Sequence, residues 1–459
     1  MSFKTAGRTR PAAGPAGLGV RHPVRTFVYC LVLTLLQAPL TVFAQQLPPT
    51  APSPSTPPAP PSPPPAAEPN APVRPTAALG PVRRPTAALG PVRRPTAALG
   101  PVAIRGMTIG PIETSQFPGR GYGSAASEAL LDALVRLGVN TISVTPFGRV
   151  WSLESTEILM DFEAPYSDNR AAIGRMVEQA HARGLRVLLI PHLWVETGGW
   201  RGEMNPKGRG AWKAYQKSYR EFVLAWAHDA ARMGVDAMSI GVECSSWSGR
   251  FGDYWSGLIA DVRQVFPGPL TYSANWDEVD NVVFWDQLDW IGVNAFYPLA
   301  RKGHDDYADY VKGAERAIAS LERSAQRVRK PVVLVEIGYT TRSHAAIDPW
   351  TWPEHLGTVV IDEWEQARAL SALMGAATRS PHIGGMFLWR YYADLDDVSQ
   401  EAPWGFSTHG KLGAHVIQSV YETRWVGDAA GPVWAPPSKR PPGKRQSLLW
   451  PQPPVPFAP

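Results

Sequence analysis

Between residues 103 and 424 the sequence alternates short apolar runs with longer stretches in which apolar positions recur at helical spacing. Short apolar runs bounded by Gly or Pro are typical of strands buried on both faces of a parallel sheet, and the periodic stretches are typical of amphipathic helices. The predicted strands are 103–109, 140–146, 186–191, 235–243, 270–274, 290–295, 331–337 and 384–388. The predicted helices include 124–137, 169–183, 211–233, 253–265, 307–327 and 354–378.

The order of these elements predicts the fold class. Eight strands alternating with helices over about 320 residues favour an α/β fold of the (β/α)8 TIM barrel type over an open doubly wound sheet. No glycine-rich phosphate loop follows the first predicted strand, which argues against nucleotide binding.

Two of the predicted strands end in a glutamate. Glu243 closes the fourth strand and Glu336 closes the seventh. Because the carboxyl ends of parallel barrel strands converge on one face, both side chains are expected in one cleft although they lie far apart in sequence. A buried carboxylate is costly unless it is paired or used, so an alternative is that each glutamate pairs with a buried arginine such as Arg105 or Arg390.

A pair of carboxylates is what the cleavage of a glycosidic bond requires, with one acting as acid and the other as nucleophile or base. Carboxyls about 5 to 5.5 Å apart give retention of configuration, and like-charge proximity separates their pKa values. The other predicted strand ends carry aromatic rings, which suit the C–H faces of sugars, and polar groups that bind hydroxyls. These candidate substrate-binding residues are His192, Trp194, Trp247, Asn275, Trp276, Asn294, Tyr297, Tyr339 and Trp389.

The two ends of the chain differ in composition from the middle. Residues 1–44 combine basic positions with an apolar run and end at Ala44, which predicts a cleaved signal peptide and a secreted, periplasmic or envelope location. A retained membrane anchor is the alternative, but Gln37 and Pro39 interrupt the run, so no stable membrane insertion is expected after cleavage. Residues 45–102 form a predicted Pro/Ala/Arg-rich linker with three ten-residue repeats, and 425–459 form a Pro-rich disordered tail.

Charge and cysteine content limit the partners. The formal net charge is +5, but residues 1–102 contribute +9 and residues 425–459 contribute +3, which leaves about −7 for the predicted barrel, 103–424. An acidic domain argues against a nucleic-acid ligand. Cys30 would leave with the signal segment, and Cys244 is predicted to be a core residue. Neither a metal nor another cofactor is expected, since His181 and His192 form no ligand cluster, and the barrel is expected to be a monomer.

Several segments together resemble glycoside hydrolase family 113, the β-mannanases of the retaining clan A. The resemblance covers roughly 103–422 and lies in Gly138-Val139-Asn140, Pro191-His192-Leu193, Trp212/Tyr215/Tyr219, Ser239-Ile240-Gly241-Val242-Glu243, Thr271-Tyr272-Ser273-Ala274-Asn275-Trp276, Phe284-Trp285, Leu288-Asp289-Trp290-Ile291-Gly292, Phe296-Tyr297-Pro298-Leu299 and Glu336-Ile337-Gly338-Tyr339.

This resemblance implies that Glu243 is the acid/base, that Glu336 is the nucleophile, and that Trp389 forms the floor of the subsite for the reacting sugar. Much of clan A has Asn directly before the acid/base, where it binds the sugar 2-hydroxyl, but Val242 occupies that position here. We expect Asn275, helped by His192, to bind the 2-hydroxyl instead.

The leading hypothesis is a secreted retaining hydrolase that cleaves β-1,4-mannosidic bonds in mannan-type polysaccharide by double displacement on two glutamates. The alternatives are a retaining glycosidase acting on another β-linked glycan and a non-catalytic carbohydrate-binding barrel at the cell envelope. Both glutamates are intact, which favours an enzyme.

Overall fold

The computed structural model describes residues 103–110, 119–161, 164–351, 359–395, 404–422 and 447–448. The predicted signal peptide and linker lie outside the described residues, as does the predicted tail apart from residues 447–448.

The elements are numbered in chain order within the described residues. The strands are β1 Ile104–Ile109, β2 Thr141–Val144, β3 Phe147–Val150, β4 Arg186–Leu189, β5 His192–Val195, β6 Ala237–Val242, β7 Leu270–Asn275, β8 Ile291–Asn294, β9 Val332–Ile337, β10 Val359–Val360, β11 Ile383–Tyr391 and β12 Ser447–Leu448. The helices are α1 Ala125–Arg136, α2 Tyr166–His181, α3 Gly208–Met233, α4 Gly252–Val265, α5 Tyr307–Val328, α6 Glu363–Arg379 and α7 Leu412–Glu422, with short 3-10 helices at Arg201–Glu203 and Trp285–Gln287.

Eight of these strands form a closed barrel in the order β1-β2-β4-β6-β7-β8-β9-β11, and β11 pairs with β1 to complete it. The pairings are all parallel. Apolar side chains of the strands fill the interior, and the helices pack around the outside against a larger apolar layer. The predicted (β/α)8 barrel is therefore confirmed.

Two prolines explain the main departure from the predicted strands. The predicted second strand, 140–146, is shortened to β2 before Pro146, and the predicted third strand, 186–191, is shortened to β4 before Pro191. The strands β3 and β5, which were not predicted, begin directly after these prolines. Proline has no N–H to donate to the ladder, so each barrel strand stops there. The chain beyond each proline pairs again, β3 with β5 in parallel, as a two-stranded sheet outside the barrel.

Other boundaries also differ from the sequence prediction. Helix α6 begins at Glu363, whereas a helix from residue 354 was expected, and residues 352–358 lie outside the described ranges. Strand β11 continues to Tyr391, past the predicted end at residue 388. Helix α7 was not predicted, and the two residues of β12, within the predicted tail, pair antiparallel with β10.

Helix α7 seals the junction between the first and last barrel strands. The Tyr421 hydroxyl donates to the carbonyl oxygens of Gly106 in β1 and Met386 in β11, at 2.7 and 3.4 Å. Arg105 in turn donates from Nη1 to the Tyr421 carbonyl at 2.8 Å. Closure of the barrel therefore depends on contacts between residues from the beginning and the end of the domain's sequence.

None of the helices in the described part of the chain is both long and apolar enough to cross a membrane.

Two glycines within helices provide a test of how α5 packs on the barrel. A Cβ built on Gly313 in α5 would lie 2.0 Å from the Leu299 carbonyl oxygen, whereas on Gly174 in α2 it would meet only Met233 atoms, at 3.8 Å. We expect Gly313→Ala to lower the free energy of unfolding by about 1 to 3 kcal/mol through overpacking. Gly174→Ala should instead raise it by up to about 1 kcal/mol through helix propensity. Urea unfolding monitored by circular dichroism measures both, and a stabilised Gly313→Ala protein would contradict the close packing.

Candidate active site

Glu243 lies immediately after β6, and its carboxyl group contacts three donors. Its Oε2 accepts from Trp200 Nε1 at 2.9 Å and lies 3.0 Å from Arg201 Nη2. Its Oε1 accepts from Asn294 Nδ2 at 3.0 Å. The three donors come from two different strand-end segments, so the carboxyl group is fixed by the loops above the barrel and by β8.

Trp200 and Arg201 reach Glu243 from the long loop that follows β5. Two consecutive glycines, Gly198 and Gly199, have φ values of 84° and 106°, a left-handed region that favours glycine. They turn the loop so that the short helix starting at Arg201 lies beside the end of β6. Neither residue was predicted, because the prediction considered only side chains next to strand ends; a Gly-Gly-Trp-Arg sequence in a barrel loop was the available signal.

Glu336 lies within β9 and is 2% exposed. Its Oε1 lies 3.4 Å from His192 Nε2. Asn294 is the register partner of Glu336 across β8 and β9, and the Ala295 N–H donates to the Glu336 carbonyl at 2.6 Å. Asn294 is therefore next to Glu336 through the backbone and bonded to Glu243 through its side chain, which brings the two predicted catalytic glutamates into one site.

Burial controls the charge of this site. It raises the pKa of Glu336 well above its usual value, the negative charge of Glu243 adds to the shift, and the cations of Arg201 and Arg390 oppose it. Burial also lowers the pKa of His192 to about 3, with the Arg201 cation adding to the effect, so the imidazole is neutral at ordinary pH.

The hydrogen bonds of the site leave three buried acceptors without a partner. His192 Nδ1 lies 2.8 Å from the Ile190 carbonyl, so Nδ1 carries the proton and Nε2 is an acceptor. Within the described ranges, His192 Nε2, Glu336 Oε1 and Asn294 Oδ1 have no hydrogen-bond partner in the protein. Buried acceptors of this kind need donors, so the site is suited to a ligand with several hydroxyl groups.

The structure brings several of the predicted substrate-binding residues to this face. The Trp389 ring stacks on the His192 ring with centroids 6.1 Å apart and an interplanar angle of 24°. Trp194 is 50% exposed, beside Phe147 and under the Arg149 guanidinium.

Trp276 and Tyr297 lie together farther along the rim. Trp276 is partly exposed and contacts the ring of the largely buried Tyr297, with centroids 5.6 Å apart. Both residues therefore lie at the carboxyl ends of β7 and β8, the end of the barrel that carries the acid pair.

Two predicted sugar contacts are corrected by their burial. Trp247 has no exposed surface: the turn after Glu243 folds its ring against Trp255, with centroids 4.4 Å apart. Tyr339 is also fully buried, and its hydroxyl donates to the Tyr297 carbonyl at 2.8 Å. Both are core residues beneath the rim and present no ring to a sugar.

The amide beside the acid pair is also not the expected one. Asn275 Nδ2 donates to Asp277 at 2.7 Å, whereas Asn294 is fully buried and bonded to Glu243. The structure therefore places the Asn294 amide, and not that of Asn275, against Glu243, while the binding of the 2-hydroxyl by Asn275 and His192 stays a prediction.

The alternative of arginine pairing involves a different arginine from those expected. Arg105 bonds Tyr421 at the barrel seam, and Arg390 Nη2 donates to the Tyr392 hydroxyl. Arg201 pairs with Glu243 instead, and its side chain is partly exposed in the cleft.

The histidines weighed as metal ligands are separated. His181 Nε2 lies 3.0 Å from Asp236 at the surface, while His192 lies in the buried site. Across the described ranges no group of three or more His, Cys, Asp or Glu side chains could hold a metal ion.

Comparisons with known proteins place this geometry in a family. The model of Glycoside Hydrolase Family 113 matches residues 116–411. A family 113 β-mannanase from Alicyclobacillus acidocaldarius, solved in complex with ManMIm, is 26% identical with a TM-score of 0.60, covering 71% of this chain and 98% of that one. A family 113 β-1,4-mannanase complex is 24% identical with a TM-score of 0.60, covering 70% of this chain and 99% of that one.

A more distant barrel shares the fold alone: a family 5 mannosidase from Rhizomucor miehei is 11% identical with a TM-score of 0.51, covering 70% of this chain and 93% of that one. The search of curated proteins gives no match. Because the family model matches 296 of 459 residues, this chain belongs to glycoside hydrolase family 113 and is a mannanase-like glycoside hydrolase.

Proposed function

We propose that this protein cleaves internal β-1,4-mannosidic bonds of mannan-type polysaccharide with retention of configuration. The observation that carries the proposal is the placement of Glu243 and Glu336 around Asn294, beside buried acceptors that have no hydrogen-bond partner within the described residues. A solved structure described as a β-mannanase, at 26% identity, supports the substrate class, and one described as a β-1,4-mannanase shares the fold at 24% identity.

In the first step, Glu336 attacks the anomeric carbon while Glu243 gives its proton to the departing sugar oxygen. The carbon–oxygen bond to the leaving chain breaks and an ester to Glu336 forms. In the second step, the Glu243 carboxylate takes a proton from water, the resulting hydroxide attacks the anomeric carbon, and Glu336 leaves as a carboxylate. Both carboxyl groups return to their initial states.

The free site opposes this assignment in one respect. A nucleophile must be ionised, yet burial and the charge of Glu243 raise the pKa of Glu336. The unpartnered Glu336 Oε1 provides the resolution, since a sugar hydroxyl donating to it stabilises the carboxylate. On this account, substrate binding transfers the proton of Glu336 to Glu243, so that the nucleophile is ionised and the acid is protonated before the glycosidic bond breaks.

Exposed tryptophans support binding of a long chain across the cleft. Trp151, Trp194 and Trp200 are 64%, 50% and 37% exposed; Trp151 follows β3, Trp194 lies in β5 and Trp200 lies in the loop after it. On the opposite arc of the barrel, Trp276 and the 50% exposed Trp350 stack with centroids 5.7 Å apart and an angle of 15°. Aromatic surfaces on both sides of the acid pair suit a polysaccharide that continues in both directions.

Export is part of the proposal and rests on the sequence of residues 1–44 alone. N-terminal sequencing of the protein recovered outside the cytoplasm should give a start at Gln45; recovery only in the cytoplasm, with the N-terminus intact, would refute export.

Replacing the nucleophile provides the first test. We expect Glu336→Ala to lose several orders of magnitude of turnover on mannan while it still unfolds cooperatively, because the ester cannot form. Azide should restore part of the activity on an activated aryl mannoside and give the α-mannosyl azide, which NMR identifies. Glu203→Ala, an exposed glutamate on the neighbouring loop, is the matched control and should retain activity. If the wild type proves as inactive as Glu336→Gln and both proteins bind mannan equally well, a non-catalytic binding barrel is favoured instead.

Replacing the acid/base should produce a loss that depends on the leaving group. Glu243→Ala should lose about 100-fold or more in kcat/KM on mannooligosaccharides, because a sugar alkoxide is a poor leaving group. The first step on an aryl mannoside whose phenol has a pKa near 7 should change little, since that phenol departs without a proton. Stopped-flow burst measurements test this difference. Equal losses on both substrates, or an inverted azide product with this variant, would contradict the assigned role.

Removing the distal tryptophan tests the long cleft. Trp350→Ala should lower kcat/KM on mannohexaose by about 5- to 30-fold, in line with roughly 1 to 2 kcal/mol for one stacking contact, and barely affect mannotriose. The ratio of the two rates within one variant is the measurement. Equal effects on both lengths would mean that the Trp276–Trp350 stack lies off the path of the substrate.

A further inference from the structure

The backbone at Glu243 has an unfavourable conformation that requires support. Its φ angle is 48°, in the left-handed region, which is unfavourable for a residue with a side chain. The Glu243 N–H still pairs with β7, donating to the Ser273 carbonyl at 2.8 Å. The strain therefore falls at the point where the chain leaves the barrel and directs the Glu243 carboxyl group into the cleft.

The next N–H along the chain is bonded to a side chain. The Cys244 N–H donates to the Tyr272 hydroxyl oxygen at 2.6 Å, and the Tyr272 hydroxyl donates to Glu278 Oε1 at 2.6 Å. Tyr272 is fully buried and Glu278 is 2% exposed. Because a phenol has one proton, the carboxylate of Glu278 fixes the direction of this chain and leaves the Tyr272 oxygen free to accept from the backbone.

The second oxygen of Glu278 ties together two loops at the rim. Oε2 accepts from the Asn275 N–H at 3.0 Å and from the Ser245 hydroxyl at 2.9 Å. Ser245 belongs to the turn after Glu243, and Asn275 ends β7. The buried carboxylate of Glu278 thus joins the turn that follows Glu243 to the end of β7. Glu278 has no chemical role in the two proposed steps of bond cleavage.

We propose that Glu278 and Tyr272 are positioning residues for the acid/base, an inference that rests on the proposed function. Together they hold Cys244 so that Glu243 stays in the left-handed conformation in which its carboxyl group meets Trp200, Arg201 and Asn294. Without them the backbone relaxes toward ordinary φ values and the carboxyl group leaves the departing oxygen, whereas Glu336 on β9 keeps its place.

The test separates acid catalysis from general damage. Tyr272→Phe keeps the buried ring and removes both hydrogen bonds, and Glu278→Gln keeps the volume and removes the charge. For each, we expect kcat/KM on mannooligosaccharides to fall by about 10- to 100-fold, part of the roughly 100- to 10,000-fold due to general acid catalysis. The first step on the activated aryl mannoside should change less than about threefold. Equal losses on both substrates would refute the positioning role.

A matched control lies elsewhere in the barrel. The Tyr310 hydroxyl donates to the buried Glu365 at 2.8 Å, and Glu365 accepts from the Ala346 N–H at 3.1 Å. This is also a buried tyrosine–carboxylate pair whose carboxylate accepts a backbone N–H, but here the N–H belongs to Ala346 and not to the Glu243 segment. Any loss in Tyr310→Phe should be equal on the two substrates. A larger loss on mannooligosaccharides than on the aryl mannoside, which we call a split and expect for Tyr272→Phe, would refute the proposal.

Two further measurements make the outcome decisive. A crystal structure of Tyr272→Phe should show Glu243 outside the left-handed region, and an unchanged φ with all three carboxyl contacts kept would refute positioning whatever the activity. If Tyr272→Phe does not fold, Ser245→Ala should show a smaller split in the same direction, about threefold, and no split would count against the proposal. A wild type that cleaves no β-mannoside would refute the proposed function itself, while a split in Glu243→Ala without one in Tyr272→Phe refutes only the positioning role.

Discussion

Two carboxylates buried side by side repel each other, and the arrangement of this site follows from the need to limit that repulsion. Two unit charges about 5 Å apart, at an effective dielectric constant near 20, repel by about 3 kcal/mol. The two carboxylates receive unequal stabilisation from the protein. Glu243 receives an indole N–H, an amide N–H and a guanidinium, whereas Glu336 is buried beside a neutral imidazole, and its pKa is raised.

This asymmetry arises above the barrel. The parallel strands bring Glu243 and Glu336 to one end, but the donors to Glu243 come from the loop after β5 and from β8, and its backbone is held from β7. The barrel thus supplies proximity and, through Asn294 in β8, one donor, while the loop after β5 supplies the indole and the guanidinium that contact Glu243. Substitutions in the loop at Trp200 and Arg201 should consequently affect chemistry without affecting the fold.

The sequence was sufficient to predict the eight strands and the positions of both glutamates, because strand period and parallel topology together determine where a strand-end residue points. It was insufficient for contacts made by loops. The positions of Trp200 and Arg201 depend on a glycine turn whose direction no hydrophobic periodicity encodes. Trp247 and Trp194 are both tryptophans beside strand ends, yet Trp247 is buried in the core and Trp194 is exposed. Pro146 and Pro191 carried a readable signal, since both mark where a barrel strand ends and the outer pair β3–β5 begins. The position of Asn294 between the glutamates required the register of β8 against β9, which a single sequence does not give.

The seam held by Tyr421 has a consequence for the time course of biosynthesis. The partner of β1 on that side is β11, which starts 279 positions after β1 does, at Ile383 against Ile104, and the sealing helix α7 comes later still. At roughly 5 to 20 residues per second, a ribosome needs on the order of 15 to 60 s to make that stretch. During this interval the first strand has one edge without its partner, and unpaired edges of this kind are sites of intermolecular association. A nascent chain of this protein therefore has its longest exposure to aggregation at its oldest strand, and chaperone contact would be most valuable there.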